Sequence, residues 1–206
     1  MKNEELLSAF YKRFPELKNI GVEEAFSILL SSCQSGHKIL ICGNGGSSSD
    51  SDHIVGELMK AFCLPRTLPE EEKKKFPPEI ALKLQKAIPA ISLSAHSGLL
   101  TAIGNDTSFD MVYAQQVYGY GEEGDVLIGL STSGNSLDVV NAAYVAKGKG
   151  MKTISITGEK ESKLSAISDI TLRLPSTETY RIQEYTLPIY HLLCLMLENA
   201  LFGDEK

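Results

Sequence analysis

The chain has 206 residues, of which 20 are Lys or Arg and 26 are Asp or Glu, so its formal net charge is −6. Hydrophobic residues make up 43% of the chain and charged residues 22%, values that are typical of a globular domain and exclude a largely disordered protein. An acidic chain lacks the excess positive charge with which proteins neutralise nucleic-acid phosphates, so we expect no direct nucleic-acid binding.

The sequence has no segment that is typical of membrane insertion. Its long apolar stretch at 187–197 is interrupted by Pro, Tyr, His and Cys and is shorter than the ~20 residues that cross a bilayer. The N-terminus begins with charged residues and not with the apolar segment of a signal peptide. We therefore expect a cytoplasmic protein that does not bind membranes.

Residues 4–35 have apolar side chains near helical spacing, and Pro15 and Gly21 divide them into at least two helices. Their apolar positions are more numerous than packing one helix face against a sheet requires. Exposed apolar stripes of this kind usually mark an interface. We predict that residues 1–36 are oligomerisation helices of a homotetramer with two-fold symmetries, with a dimer as the fallback.

Five short apolar runs alternate with helical segments along the rest of the chain. They are Lys38–Cys42, Pro89–Leu93, Asp125–Leu130, Thr153–Ile156 and Ile170–Leu174. Short apolar strands that alternate with helices are typical of a parallel sheet covered on both faces. The pattern predicts one α/β domain over residues 1–206, a three-layer α/β/α sandwich with a five-stranded parallel sheet preceded by the N-terminal helices.

Residues 64–88 depart from this alternation. Four prolines lie in this segment, around a run of six charged residues at 70–75. This composition is typical of a solvated insertion with a short helix. A substrate lid or an oligomer contact is the alternative.

Two polar loops follow the first and third predicted strands. Residues 43–50 read GNGGSSSD and residues 131–136 read STSGNS. Glycines let the backbone approach a ligand closely, and hydroxyl and N–H groups at the start of a helix suit an anion. Because loops at the carboxyl ends of parallel strands share one edge of the sheet, the two loops predict a phosphorylated small molecule as the ligand.

Two predicted helices contain candidate acid/base residues. His53 and Glu57 are four residues apart in the helix after the first loop and therefore share one face. His191 lies in a helix that opens at residues 181–184, which read RIQE. A lone helical His is usually structural, but Glu57 follows a phosphate-type loop and is a candidate base near the ligand.

These residues resemble those of the sugar isomerase (SIS) domain proteins and, among them, the phosphoheptose isomerases. The resemblance covers nearly the whole chain and rests on the motifs CGNGGSSSD, HIVGEL, AIGND, GDVLIGLSTSGNS and RIQE with the later His191. It implies a flavodoxin-like SIS fold and a homotetramer with sites shared between subunits. The implied activity is aldose–ketose isomerisation of sedoheptulose 7-phosphate to D-glycero-D-manno-heptose 7-phosphate through an enediol or enediolate.

The resemblance also implies a role for each matching position. The residues implied to bind the sugar phosphate are Asn44, Gly45, Gly46, Ser47, Glu57, Ser131, Thr132, Ser133, Ser136 and Gln183. Glu57 would be the catalytic base and His191 the acid. Some members of the family bind zinc at the positions of His53, Glu57, Gln183 and His191. Where the family has an Asp after the second strand, this chain has Ala95-His96-Ser97, so that contact to the sugar is either lost or made by His96.

The spacing of two of these residues constrains a zinc site. If Gln183 and His191 lie on one continuous helix, their eight-residue separation amounts to ~12 Å, which is awkward for one tetrahedral zinc ion with ~2 Å bonds. Either Pro188 distorts the helix, or the zinc ligands come from two subunits. We favour two subunits, which agrees with the assembly that the resemblance implies.

Two other functions remain open from the sequence. One is an isomerase of another sugar phosphate. The other is a non-catalytic SIS protein, of the kind that regulates replication initiation, that binds a sugar phosphate or a partner protein. The presence of both Glu57 and His191 favours catalysis, because a protein that only binds its ligand has no need of an acid/base pair.

Overall fold

A five-stranded, fully parallel sheet forms the centre of the molecule. The computed structural model describes residues 2–203; Met1 and residues 204–206, which the predicted domain includes, lie outside the described residues. The strands are β1 Ile39–Gly43, β2 Ala90–Ser92, β3 Val126–Leu130, β4 Lys152–Thr157 and β5 Ile170–Arg173, in the spatial order β2-β1-β3-β4-β5. This sheet confirms the predicted fold class, and each strand lies within two residues of its predicted bounds.

Helices connect the strands and precede the sheet. They are α1 Asn3–Arg13, α2 Val22–Gln34, α3 Gly46–Met59, α4 Glu70–Lys73, α5 Pro78–Ala81, α6 Ser97–Asp106, α7 Val112–Tyr120, α8 Leu137–Gly148, α9 Lys163–Ile167 and α10 Thr179–Phe202. Short 3-10 helices add Pro15–Leu17 and Phe109–Met111. Within residues 2–203, no helix combines the length and apolarity that crossing a membrane requires.

Side-chain alternation along the strands creates two cores. In β1, Ile39 and Ile41 face one core, whereas Leu40 and Cys42 face the other. Helices α1, α2, α3 and α10 pack on the first face, and α6 to α9 pack on the second. Burial of each Leu or Ile side chain contributes about 1.5–3 kcal/mol, so both helix layers are held mainly by apolar burial.

The functional edge of the sheet is fixed by the pairing of β1 with β3. The last residues of these strands, Gly43 and Leu130, are register partners. From β1 the chain continues into α3 on one face, and from β3 it continues into α8 on the other. The chain therefore diverges to opposite faces between two adjacent strands, and a crevice opens at this switch point, where sheets of this type bind ligands.

The segment 64–88 differs from the predicted solvated insertion with one short helix. It contains two short helices, α4 and α5, and an antiparallel bridge between Thr67 and Gln85. The charge run is mostly exposed, with ion pairs of 2.6 Å between Lys73 and Glu70 and between Lys74 and Glu71. Arg66, by contrast, is fully buried, so the beginning of this segment belongs to the core.

Candidate active site

The loop after β1 is held in place by two side chains that the sequence did not single out. We call residues 43–46 the GNGG loop. Asn44 Nδ2 donates a 2.8 Å hydrogen bond to Asp138 Oδ2 at the start of α8. The Tyr113 hydroxyl donates a 2.6 Å hydrogen bond to the Gly43 carbonyl oxygen. The loop is therefore tied to the helix layer on the opposite face of the sheet from α3.

Glycine is required in the GNGG loop for two separate reasons. Gly45 has φ +57° and ψ −120°, a conformation that residues with a side chain rarely adopt. At Gly43 a Cβ atom would lie 2.7 Å from the Ser47 Cβ and 3.0 Å from the Leu130 carbonyl oxygen. At Gly46 a Cβ atom would lie 2.6 Å from Gln183 Nε2, so the Gln183 amide covers the beginning of α3.

The loop after β3, residues 131–136, is rich in hydroxyl groups and is called the serine loop below. Ser131 Oγ donates to Ser136 Oγ at 3.2 Å, and the Asn135 amide N–H donates to Ser133 Oγ at 3.1 Å. A cavity of about 280 Å³ opens beside this loop, and its lining includes Thr132, Ser133 and Lys160. Hydroxyl groups and a lysine next to a helix N-terminus are chemically suited to a phosphate.

A second group of functional side chains lies on α3 and α10. We call His53, Glu57, Tyr190 and His191 the histidine cluster. His53 Nε2 is 3.2 Å from Glu57 Oε1, and His53 Nδ1 is 2.9 Å from the Tyr190 hydroxyl. The rings of His53 and His191 meet edge to face with centroids 5.0 Å apart. When Nε2 of His53 donates to the Glu57 carboxylate, Nδ1 accepts from Tyr190, so these contacts fix the orientation of the ring.

His191 has an unusual environment within this cluster. Its Nε2 atom is buried and has no hydrogen-bond partner among residues 2–203. Burial, followed by the nearby His53, lowers the pKa of His191 below its ordinary value, although Glu57 acts in the opposite direction. The imidazole is therefore neutral near pH 7, and one of its ring nitrogens has no hydrogen-bond partner among the described residues.

The two groups of residues lie apart within one chain. Gly46 and Glu57 are eleven residues apart on α3, about 16 Å along the helix axis. The sequence predicted Glu57 to lie near the ligand of the GNGG loop, and within one chain the two positions have this separation along the helix. His191 instead lines a groove of about 320 Å³ between α1 and α10, which also includes Phe10 and Arg13.

The predicted zinc ligands do not form a zinc site within a single chain. Helix α10 continues through Pro188 without a break, so Gln183 and His191 are about 12 Å apart along its axis. Gln183 lies at the GNGG loop, and His53 Nε2 is already paired with Glu57. In the part of the chain that the structure describes, no group of three or more His, Cys, Asp or Glu side chains could hold a metal ion.

The sequence left open whether His96 replaces the Asp that the family has after the second strand. His96 is exposed, precedes α6 and makes no side-chain cap hydrogen bond to it. A carboxylate does lie near the end of β2, but it comes from Asp52 on α3, which accepts a 2.5 Å hydrogen bond from Ser92 Oγ. In the sequence, Asp52 could have been recognised as a candidate site carboxylate because it directly precedes His53.

Known proteins resemble this chain in both sequence and structure. A family model described as the SIS domain matches residues 80–158. A phosphoheptose isomerase from Rhodospirillum rubrum is 36% identical over 180 residues, which cover 87% of this chain and 86% of that protein.

Two solved structures extend the likeness to the whole fold. The phosphoheptose isomerase from Neisseria gonorrhoeae superposes with a TM-score of 0.75 at 31% identity, covering 95% of this chain and 94% of that chain. The one from Francisella tularensis has a TM-score of 0.76 at 28% identity, covering 97% of this chain and all of that chain (100%).

The environment of His191 generates a prediction about pH. NMR titration of EDTA-treated protein is expected to place the midpoint of His191 below the ordinary value of 6.5. Because the folded-state pKa is lower than the unfolded one, the neutral ring supports stability above the unfolded pKa. That contribution is lost as the pH falls through the folded pKa. The variant H191Q should lack this part of the acid destabilisation; a His191 midpoint at or above 6.5 would contradict the assignment.

Proposed function

Because the chain belongs to the phosphoheptose isomerase family, we propose that it interconverts sedoheptulose 7-phosphate and D-glycero-D-manno-heptose 7-phosphate. The observation that carries the proposal is the contact of His53, Glu57 and His191, which two separate helices bring together. An aldose–ketose isomerisation needs a base and an acid that work on adjacent carbon and oxygen atoms. A protein that only bound the sugar would need neither.

The phosphate of the substrate is assigned to the two loops at the switch point. Backbone N–H groups of Gly45 and Gly46, the Ser47 hydroxyl and the Asn44 amide would bind it from the GNGG loop. Hydroxyl groups of Ser131, Thr132, Ser133 and Ser136 would bind it from the serine loop. The adjacent ends of β1 and β3, from which the two loops start, support this assignment. We assign Gln183, which covers the start of α3, to the sugar next to the phosphate.

The proton transfer is assigned to Glu57 and His191. The Glu57 carboxylate takes a proton from one of the two reacting carbons, and the electron pair of that C–H bond forms the double bond of the enediol. His191 gives a proton to the carbonyl oxygen. Glu57 then returns its proton to the former carbonyl carbon, and His191 takes the hydroxyl proton from the carbon that lost the first proton, which completes the isomerisation. His53 and Lys60, both 3.2 Å from Glu57 carboxylate oxygens, hold the carboxylate in one orientation.

We further propose that the complete site forms between copies of the chain in a homotetramer. The distance of about 16 Å between Gly46 and Glu57 along α3 favours a site to which different copies contribute these two positions. The groove beside His191 runs along α1, where Leu6, Leu7 and Phe10 are only partly buried. The loops of one copy and the histidine cluster of another would then enclose the substrate together.

Zinc and cellular location stay predictions. Imidazole and carboxylate groups of the histidine cluster are the kinds of ligand that zinc prefers. A single chain does not assemble them into a metal site, so no step above uses a metal. The cytoplasmic location expected from the sequence is likewise part of this proposal.

The direct test is to incubate the purified protein with sedoheptulose 7-phosphate and to follow formation of the aldose by NMR. We expect both sugars to appear in an equilibrium mixture. Faster conversion of a different sugar phosphate would change the assigned substrate. Tight binding of a heptose or hexose phosphate without conversion of any would replace the isomerase with a binding or regulatory protein.

Replacement of the base separates catalysis from binding. E57Q keeps the size and polarity of the side chain but removes its basicity, so kcat should fall at least ~10²-fold while the substrate still binds. The matched control is E71Q, an exposed carboxylate on α4, which should keep kcat within about twofold of the wild type. The metal content of each variant is measured by mass spectrometry, because loss of a bound metal together with Glu57 would be a separate cause of a lower kcat. Wild-type turnover by both E57Q and H191A would contradict the mechanism.

The serine loop is tested by S133A. Loss of one hydrogen bond to a charged phosphate should cost about 1.5–3 kcal/mol, or roughly ten- to hundredfold in Kd by calorimetry. The control is S168A, which removes a hydroxyl near the amino end of β5, away from the serine loop. Free sedoheptulose should bind poorly to all three proteins. Equal affinity for the phosphorylated and free sugars would exclude the assigned phosphate site.

The assembly is tested by light scattering at micromolar concentration. We expect the mass of four chains, the assembly proposed above, in which the substrate loops and the histidine cluster of different copies meet. A double variant, L7E/F10E, places charges along α1 and should give a smaller species with little activity. A wild-type protein that is monomeric and fully active would exclude the shared site.

A further inference from the structure

A buried ion pair joins the segment after α3 to the C-terminal helix. Arg66 Nε lies 2.7 Å from Glu198 Oε1, and the two side chains are 0% and 1% exposed. Arg66 cannot touch a substrate, because none of its surface is accessible. Replacing a buried ion pair by apolar residues often leaves stability unchanged or improves it, so the pair is weak evidence for a purely stabilising role.

Two further hydrogen bonds of the Arg66 guanidinium go to the end of the helix that carries the proposed base, while its face packs over the Phe202 ring at 4.9 Å. Its Nη1 donates to the Leu58 carbonyl oxygen at 2.7 Å, and its Nη2 donates to the Glu57 carbonyl oxygen at 3.1 Å. The last carbonyl groups of a helix lack helical partners and attract a cation. The guanidinium group therefore fixes the last turn of α3, including the backbone of Glu57 itself.

Glu198 holds the chain that leaves this turn. Its carboxylate accepts backbone hydrogen bonds from Phe62 at 2.7 Å, Cys63 at 2.7 Å and Leu64 at 3.0 Å. Burial acts to raise the pKa of Glu198, but these three N–H groups and Arg66 outweigh burial and lower it. The carboxylate is therefore ionised and fully hydrogen-bonded.

The same contacts reach the proposed acid. Glu198 follows His191 by seven residues, two turns along the same face of α10. The ring of Phe62, whose N–H is bound by Glu198, packs against the His191 ring with centroids 5.5 Å apart. The ion pair thus contacts the backbone of Glu57, and it belongs in part to α10, which carries His191. It also binds the backbone of Phe62, whose ring packs on His191.

We propose that Arg66 and Glu198 are positioning residues that set the distance and orientation between the Glu57 carboxylate and the His191 imidazole. The inference rests on the proposed function for the roles of Glu57 and His191. Proton transfer depends steeply on geometry, and a misplacement of about 1 Å can cost about a hundredfold in rate. Weakening the pair should therefore reduce turnover even where the fold survives.

The test uses three variants and one matched control in the full-length protein. R66K keeps the positive charge but loses the forked N–H donors to the Leu58 and Glu57 carbonyl groups. E198Q removes the negative charge of the carboxylate that accepts hydrogen bonds from three backbone N–H groups. If either one fails to fold, R66M/E198L removes both buried charges together. The control is D125N, a buried carboxylate at the amino end of β3 that pairs with Lys38 Nζ at 2.7 Å. Asp125 also accepts hydrogen bonds from the Lys38 and Glu122 amides at 2.9 and 2.8 Å.

Kinetics are measured well below the melting temperature of each variant. We expect the pair variants to lose at least about tenfold in kcat with KM changed by less than about threefold. D125N should lose thermal stability but keep kcat within about twofold. Wild-type kcat in the folded pair variants, or an equal loss of kcat in D125N, would overturn the proposal.

A second readout does not depend on activity. At fixed pH, the imidazole NMR signals of His53 and His191 should shift in R66K and E198Q and stay in place in D125N. If the wild type isomerises no sugar phosphate, the proposed function fails, and these signals still decide whether the pair positions the histidine cluster. Unmoved signals in both pair variants would refute the positioning role.

Discussion

The pairing of β1 with β3 is the constraint on which the candidate site depends. Both strands end at the same level, with Gly43 beside Leu130, and the chain then turns to opposite faces of the sheet. The first turn of α3 folds back so closely that Gly43 has no room for a Cβ atom, which would lie 2.7 Å from the Ser47 Cβ. Because of this register, the GNGG loop and the serine loop lie next to each other, and Asn44 reaches Asp138 across the crevice.

Two long helices, α3 and α10, extend from this edge of the sheet, and the histidine cluster lies farther along them than the two loops. Each of them carries one site residue near the loops, Gly46 on α3 and Gln183 on α10, and another farther along, Glu57 and His191. Since a helix has a fixed rise per residue, no change of side-chain rotamer brings the two ends together. The fold therefore places the two groups of side chains at different positions along the same two helices, which is the geometric basis of the proposal that the site is shared between chains.

Much of the fold followed from the sequence, because continuous apolar runs of four to six residues identify buried parallel strands. Contacts between residues distant in sequence were not predictable in this way. Arg66 lies among prolines next to a charge run, which is the pattern of a solvated residue. Its burial could not be predicted, because its partner Glu198 is 132 residues away. The hydrogen bond between Tyr190 and His53 joins two helices whose relative rotation no periodicity specifies.

The bridge between Thr67 and Gln85 gives the segment 64–88 a particular freedom to vary. With Arg66 buried on one side and Ile88 buried on the other, both ends of the segment are anchored in the core. Doubling the length of a loop whose ends are already fixed costs only about 0.6 kcal/mol in closure entropy. The largely exposed residues 69–80 can therefore lengthen, shorten or change composition during evolution while the buried side chains on either side stay in place, which makes this part of the segment a natural place to insert a tag or a reporter domain.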